Sequence, residues 1–406
     1  MIRQLAYSSL SAATAALLLV LMIAAGRILG DAEFGKFSFA LLLGGVFETL
    51  MDFGLHQVTV RAVARDRSKA EALLQHALAI KLVWAGATLG LLVLTATLLR
   101  PQHDVRMACY FIGGSLVFRS YMLTIRGVLQ GLEQFGWDSL VVLADRGLML
   151  ALGLAALWTG LGLRGLTLAF VVARGAALAL AAGVTHLRLG SLGLRFDREV
   201  WLDLHRTALP LGLFLVVLNL YSYIDGVMLG ALRTDAETGL YAAAYKVYEG
   251  LTYAPLAIST VLTPKLSALF HVDRPGHRRL ALIGTAGSTA LGIGVALVAF
   301  ALAAPIIHLL FGAGFLEAAS PFRILVIGLP VVYAIWILHA IAISVDRERL
   351  LLQTGIVGLV ANVGINAYAI PHFGPDGAAF ATVAGEVISL AMLAGGLSRR
   401  RAGRAA

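Results

Sequence analysis

Apolar residues run along this chain in twelve long blocks, not at the spacing that gives a helix or strand one wet face. The blocks fall roughly at 8–29, 37–60, 76–99, 105–128, 139–159, 166–186, 208–232, 239–262, 280–311, 322–344, 350–370 and 377–397. About 20 residues at 1.5 Å each cross the roughly 30 Å of hydrocarbon in a bilayer, so every block is long enough to span one as a helix. A helix also satisfies its own backbone hydrogen bonds where no water is present. The pattern predicts an all-α polytopic membrane protein with twelve transmembrane helices. Composition agrees: at 59% hydrophobic and 14% charged, a 406-residue chain has too few charges to coat the polar faces of a soluble protein.

The twelve blocks divide into two related sets of six. The segment Gly30-Asp31-Ala32-Glu33-Phe34-Gly35-Lys36-Phe37-Ser38-Phe39-Ala40 recurs 204 positions on as Thr234-Asp235-Ala236-Glu237-Thr238-Gly239-Leu240-Tyr241-Ala242-Ala243-Ala244. Both copies lie between the first and second helices of a half. Leu163 to Phe170 pairs with Pro375 to Thr382 at an offset of 212, before the sixth helix of each half. Two matches at nearly one offset indicate duplication, the alternative being chance similarity in sequence rich in Ala, Gly and Leu. An even number of helices per half makes the repeat parallel. The predicted organisation is a six-helix lobe over 1–186, a polar cytoplasmic linker over 187–206, a second six-helix lobe over 207–398 and a basic tail over 399–406.

Lys and Arg exceed Asp and Glu by 32 to 23, and their placement carries more information than the sum. With the N-terminus taken as cytoplasmic, twenty of the twenty-six basic residues in loops and termini fall on the cytoplasmic side, as the positive-inside rule requires. Basic surface is then a topology signal and gives no reason to expect a nucleic-acid partner. Both termini are expected in the cytoplasm. Met1 to Gly30 is read as a first membrane span instead of a cleaved leader, because the apolar run crosses a full bilayer and continues into the repeated loop. A single cysteine, Cys109, excludes an internal disulfide or a thiolate metal cluster. The glycines at 86 and 90, or at 284, 287, 292 and 294, are read as helix-packing positions, and Pro210, Pro255 and Pro330 as sites where helices bend.

A charge at mid-bilayer costs about 2.5–3.5 kcal/mol even on a lenient scale, so membrane-depth charges mark wet or paired positions. Arg27, Glu48, Asp52, Lys81, Arg119, Asp145, Arg146 and Arg174 lie in the first half, and Asp225, Lys246, Glu249 and Glu386 in the second. Lys81 and Arg126 are placed near cytoplasmic helix ends, where a long side chain can snorkel. Asp145 and Arg146 are about 100° apart around a helix and are not expected to pair. Glu48 and Asp52, at i and i+4, form either a proton or cation site or two separate salt bridges. Lys246 and Glu249, at i and i+3, either act in a site or neutralise each other. Around them Tyr221, Tyr223, Tyr241, Tyr245, Tyr248 and Tyr253 offer either a carbohydrate path or an interfacial aromatic belt, which suits Tyr241 best. There is no Walker A loop, dinucleotide-binding turn or His-Glu-x-x-His motif, so no cofactor, catalytic residue or metal site is expected and the chain does not read as an enzyme.

Several short motifs together resemble one family. They are Gly26-Arg27-Ile28-Leu29-Gly30 with Glu33-Phe34-Gly35, Asp52-Phe53-Gly54-Leu55 with Arg61, and Arg126-Gly127-Val128-Leu129-Gln130-Gly131. Pro210-Leu211-Gly212 with Asp225, and Gly239-Leu240-Tyr241-Ala242-Ala243-Ala244-Tyr245, complete the set. In their order and helix positions these resemble the bacterial polysaccharide repeat-unit flippases, of the O-antigen and exopolysaccharide type, in the MATE-like multidrug/oligosaccharidyl-lipid/polysaccharide (MOP) superfamily.

The resemblance implies two lobes around a V-shaped cavity in the inner membrane. It implies export of an undecaprenyl-diphosphate-linked oligosaccharide by alternating access, with H⁺ or Na⁺ as coupling ion and polysaccharide-assembly proteins as partners. Arg27 matches the family's first-helix arginine, with a role at the diphosphate or the outer gate. The expected substrate-binding set is Arg27, Arg119, Arg146, Arg174, Asp225, Lys246, Tyr223 and Tyr245; the expected ion-coupling set is Glu48, Asp52, Asp225 and Glu249. Competing readings are a MATE-type cation or drug antiporter, which favours an acidic cavity, and an integral-membrane glycan-assembly enzyme, which needs a polar catalytic loop.

Overall fold

The computed structural model describes the backbone of residues 2–190 and 192–402, with side chains over 16–190 and 192–398. Among the described residues there is no strand, and the helices are α1 (Ile2–Asp52), α2 (Leu55–Arg65), α3 (Ala70–Leu99), α4 (His103–Gly131), α5 (Phe135–Trp158), α6 (Gly162–Leu189) and α7 (Arg198–Leu232). There follow α8 (Asp235–Leu251), α9 (Tyr253–Val272), α10 (Arg274–Ala301), α11 (Ala303–Phe311), α12 (Ala319–Ile327), α13 (Leu329–Ser344) and α14 (Glu348–Ala402). Among the described residues seven helices are each long and apolar enough to cross a membrane, and an eighth span forms if α12 with its preceding turn and α13, bent by 43°, count together. The rest of the twelve spans are helices folded or broken by local backbone chemistry.

Two glycines do the folding. Straight helices of 51 and 55 residues, as α1 and α14 would be, measure roughly 75–85 Å, more than twice a bilayer. Gly30 (φ 78°) folds α1 and Gly374 (φ 54°) folds α14 into two arms, each with a φ that residues bearing a Cβ rarely adopt. At Gly374 a Cβ would also stand 2.8 Å from the Glu237 carboxylate.

The second span of each half is broken in its middle. In the first half the break is Phe53–Gly54, both at positive φ, between α1 and α2; in the second it is Thr252, between α8 and α9. The ninth apolar block, read as one run over 280–311, is in fact α10 and α11, divided at Leu302. Pro330 opens α13 just after the 43° bend at Gly328, and Pro210 lies inside α7.

The chain forms two compact units, Met1–Tyr223 and Ile224–Ala406, the division falling within α7. In the first, Leu74, Leu78, Val128, Val141, Ala177 and Ala181 form a buried core between α3, α4, α5 and α6. Leu204 and Ala208 of α7 pack on Leu55, Val58, Ala77 and Ile80, which explains why the start of α7 belongs to this unit. Of the described residues in the stretch read as a linker, 190 and 192–197 are non-helical, and Arg195 ties them to α3: Arg195 N–H donates to Gln75 O (3.3 Å), and His76 Nδ1 lies 3.0 Å from Arg195 O. In the second unit Leu266, Ala281 and Ala340 join α9, α10 and α13.

Both copies of the repeated loop hold their glutamate in an ion pair, with partners from different positions. Glu33 accepts from Lys36 (2.6 Å), which also donates to Asp104 (2.5 Å). Its counterpart Glu237 takes a forked pair of hydrogen bonds from Arg233 and closes a capping box with Thr234 at the start of α8. Arg233 reaches on to Pro371 O at 3.2 Å, tying this loop to α14.

Candidate functional site

The first unit gathers charge from four helices. Arg119 on α4 donates from Nε to Glu48 Oε1 of α1 at 2.5 Å, and its Nη1 lies 3.7 Å from Asp145 Oδ2 on α5. Arg146 Nε approaches the same Asp145 oxygen at 3.7 Å. The expectation that these neighbours do not pair is therefore wrong: a flexible guanidinium folds back across the 100° between them. On α6, Arg174 is 5% exposed, donates to Ser115 Oγ at 2.8 Å and lies over the Phe170 ring. Arg119 and Arg146 pair with the two carboxylates while Arg174 is bonded to Ser115, so the three arginines leave a positive excess among these helices. Tyr223 of α7 packs on α1 at Gly45, where a Cβ would stand 2.7 Å from the ring, so only glycine leaves room for it.

One turn along α1 from Glu48, Asp52 has a separate partner. Lys81 is 1% exposed, and its ammonium reaches Asp52 (2.6 Å), Ser120 Oγ (2.8 Å) and Met51 O (3.5 Å). Lys81 does not snorkel, because all three of its N–H groups find acceptors inside the bundle. Arg126 does not snorkel either. Its guanidinium forks onto Asp138, at 2.6 and 3.4 Å, and Asp138 is fully buried and also accepts from Gln130. Glu48 and Asp52 thus stand in two ion pairs with two cations.

In the second unit one buried carboxylate, Asp225, makes no ion pair among the described residues. Asp225 of α7, 4% exposed, accepts from Asn366 Nδ2 (2.7 Å), Thr382 Oγ1 (2.5 Å) and Tyr241 OH (3.4 Å). Thr382 Oγ1 lies 3.1 Å from Ala378 O as well, and Asn366 is bonded to Asn362 at 3.0 Å. The donors come from α8 and both arms of α14, and they are neutral. Asn366 Oδ1 is buried without a hydrogen-bond partner, so the cluster contains an oxygen ready to accept more. Tyr241 is buried at Asp225 and is not part of an interfacial belt. Tyr245 lies between Tyr241 and Tyr248, with ring centroids 5.8 Å away on either side and the rings tilted by 32° and 52°.

The remaining expected residues are less enclosed. Lys246 and Glu249 pair with each other at 2.7 Å and are both partly exposed, the neutralising alternative of the two open from sequence. Arg27 is exposed on α1, three residues before the fold at Gly30. Asn362, Asn366 and Thr382 were not singled out from the sequence because uncharged polar residues stand out weakly in an apolar block. The usable signal was the i, i+4 spacing of the two asparagines, which puts both amides on one face of a span.

The described residues thus form an all-helical, multi-pass membrane bundle with buried ion pairs in one unit and a carboxylate held by neutral donors in the other. Residues 3–270 match the family described as polysaccharide biosynthesis protein, and the chain belongs to that family. A relative among characterised sequences is the probable flippase AglR of Haloferax volcanii, 27% identical over 168 residues. That alignment covers 40% of this chain and 35% of the relative, so the chain spans about a third of that protein's length. Among solved structures the lipid II flippase MurJ superposes with a TM-score of 0.81 at 15% identity, covering 97% of this chain and 87% of MurJ. A multidrug resistance MATE family transporter of the MOP superfamily gives 0.77 at 16% identity, covering 96% and 95%. These matched proteins are named as flippases and a transporter.

Proposed function

We propose that this protein is a flippase that exports an undecaprenyl-diphosphate-linked oligosaccharide across the bacterial inner membrane by alternating access, driven by a cation held at Asp225. Both termini are cytoplasmic in this reading, consistent with the bias of Lys and Arg. The observation that carries it is the excess of Arg119, Arg146 and Arg174 over Glu48 and Asp145. A diphosphate and several sugar hydroxyls are too costly to move through hydrocarbon bare, and guanidinium groups offer the planar fork that suits phosphate oxygens. Arg27 and Lys246 add charge outside that cluster, and Tyr223 and Tyr245 add ring faces for sugars.

The cluster around Asp225 suits the coupling ion. A carboxylate, two hydroxyls and two amides are oxygen donors of the kind a hard cation takes, and a cation there would neutralise a carboxylate that has only neutral partners. Na⁺ or H⁺ is the coupling ion in this reading. Glu48, Asp52 and Glu249 already have cationic partners and serve the ion path only by exchanging them. The same lone carboxylate favours a second reading, a MATE-type cation or drug antiporter.

Glycan export by cells carrying single variants separates the two readings. Arg174→Ala at undiminished membrane abundance is expected to lose export, with Arg174→Lys intermediate because the charge remains and the fork is lost. Wild-type export by Arg174→Ala, Arg119→Ala and Arg146→Ala alike, together with efflux of a cationic dye that requires Asp225, would favour the antiporter.

A further inference from the structure

Glu386 has a role that neither the arginine cluster nor the Asp225 cluster supplies. It lies on the second arm of α14, one turn beyond Thr382, and is 8% exposed. Oε1 accepts a 2.6 Å hydrogen bond from Tyr248 OH, whereas Oε2 is buried with no hydrogen-bond partner. Oε2 points into the notch at Gly328, where α12 bends into α13: a Cβ at that glycine would stand 2.8 Å from it.

The elements packed around Glu386 bring no positive charge to it. On α8 the neighbours are Tyr248 and, ring against tilted ring, Tyr245 and Tyr241, while Lys246 is held by Glu249. On α7 the charged group that reaches it is Asp225, a like charge. Arg323 on α12 is exposed and lies over the Phe300 ring. On α13 Tyr333 donates to Leu251 O, and His339 lies edge-on to Trp336. Among the described residues Glu386 has no ion pair.

A carboxylate in that setting is an uncompensated buried charge, whereas a carboxylic acid is neutral and brings an O–H to the unpartnered oxygen. We propose that Glu386 is a proton-exchange site of the second unit, separate from the cation cluster at Asp225, which takes a proton from water to occupy the notch at Gly328 and returns it to water on leaving. Thr382 and Glu386 stand at i and i+4 on one face of α14, so both sites act on the same helix. A second negative charge at Glu386 is opposed by Asp225, and a cation bound at Asp225 relieves that opposition. Cation entry at Asp225 and proton release at Glu386 are thereby linked. This inference rests on the ion-coupled reading above, but its first test needs no substrate.

Infrared difference spectra of the full chain in lipid bilayers, perfused between acidic and alkaline buffer, read the carbonyl stretch of a protonated carboxyl directly. Wild type is expected to show such a band. Glu386→Gln, which keeps the shape of the neutral acid, should lose it, and Asp225→Asn should retain it. Tyr248→Phe should keep the band and move it to higher frequency, since the carbonyl loses its hydrogen-bond donor. No titrating band in wild type, or a band that survives in Glu386→Gln, overturns the proposal. Glycan export then tests the role: Glu386→Gln should lose the pH dependence of wild type, and a variant that keeps it would make Glu386 a structural acid only. Failure of wild type to move a lipid-linked oligosaccharide would refute the flippase reading and leave the spectroscopic result standing.

Discussion

Removing the ammonium from Lys81 tests whether the charges inside the first unit are held in fixed pairs. The perturbation is Lys81→Met, which keeps an unbranched apolar chain of similar reach and deletes three N–H donors. Lys81 is 1% exposed and Asp52 12%, with 2.6 Å between their charged atoms, so the variant leaves a mostly buried carboxylate whose nearest remaining donor is His56 N–H at 3.4 Å. Breaking a buried pair from one side costs about 3–5 kcal/mol, and partial exposure of Asp52 sets the expectation at the lower end. At roughly 2–4 °C per kcal/mol for a unit of this size, the melting midpoint should fall by about 6–12 °C. The assay is thermal unfolding of the detergent-solubilised full chain followed by fluorescence size exclusion. Asp52→Asn in the same chain removes the stranded charge and should recover much of the loss, since a buried pair replaced from both sides is often near neutral. A Lys81→Met protein that melts within about 2 °C of wild type, a change below roughly 1 kcal/mol, would refute the fixed pair and restore the snorkelling lysine.

Three further outcomes follow from the geometry. Gly212→Ala places a Cβ 2.6 Å from Phe53 O and 2.7 Å from its ring, and since that carbonyl is backbone at positive φ the variant should be destabilised by about 1–3 kcal/mol in the same melt. Arg27→Ala should abolish glycan export at normal membrane abundance, with Arg27→Lys intermediate; full export by a stably inserted Arg27→Ala would leave this arginine no part in phosphate binding. Acid should weaken the two repeated loops. The Lys36 hydrogen bond holds the Asp104 carboxyl below its usual range, and at Glu237 the Arg233 hydrogen bonds outweigh the burial that raises it. Depressed carboxyls contribute stability that is full above their unfolded value, near 4, and is lost as pH falls through the folded value. Melting should therefore be flat in these terms from neutral pH down to about 5 and decline below it in wild type, with a shallower decline in Asp104→Asn.

The fold was legible from the sequence because hydrophobic block length is a direct consequence of bilayer thickness, and the repeat from Gly30 and from Thr234 was visible residue by residue. The breaks were less so. Gly30 and Gly374 are two of 44 glycines, and only their φ separates them from glycines that pack helices. Pairing across helices was the least legible feature. Glu48 with Arg119 and Asp52 with Lys81 are separated by 71 and 29 positions, and helix periodicity carries no information about which helices lie side by side. Sequence distance also misled at Asp145 and Arg146, where a long guanidinium bridges what a helical wheel separates. At Asp225 the charge was conspicuous and its partners were not, because Asn362, Asn366 and Thr382 differ from their apolar neighbours by single polar groups.

The central claim is that this chain moves a lipid-diphosphate-linked oligosaccharide using a cation at Asp225. The most direct measurement places the purified full chain in proteoliposomes with a labelled undecaprenyl-diphosphate oligosaccharide in one leaflet and follows its exposure in the other with a membrane-impermeant enzyme. An imposed Na⁺ or pH gradient should accelerate the movement, and Asp225→Asn should remove that dependence at equal reconstitution. No movement of the oligosaccharide under either gradient, together with gradient-driven efflux of a cationic dye that Asp225→Asn abolishes, would contradict the account.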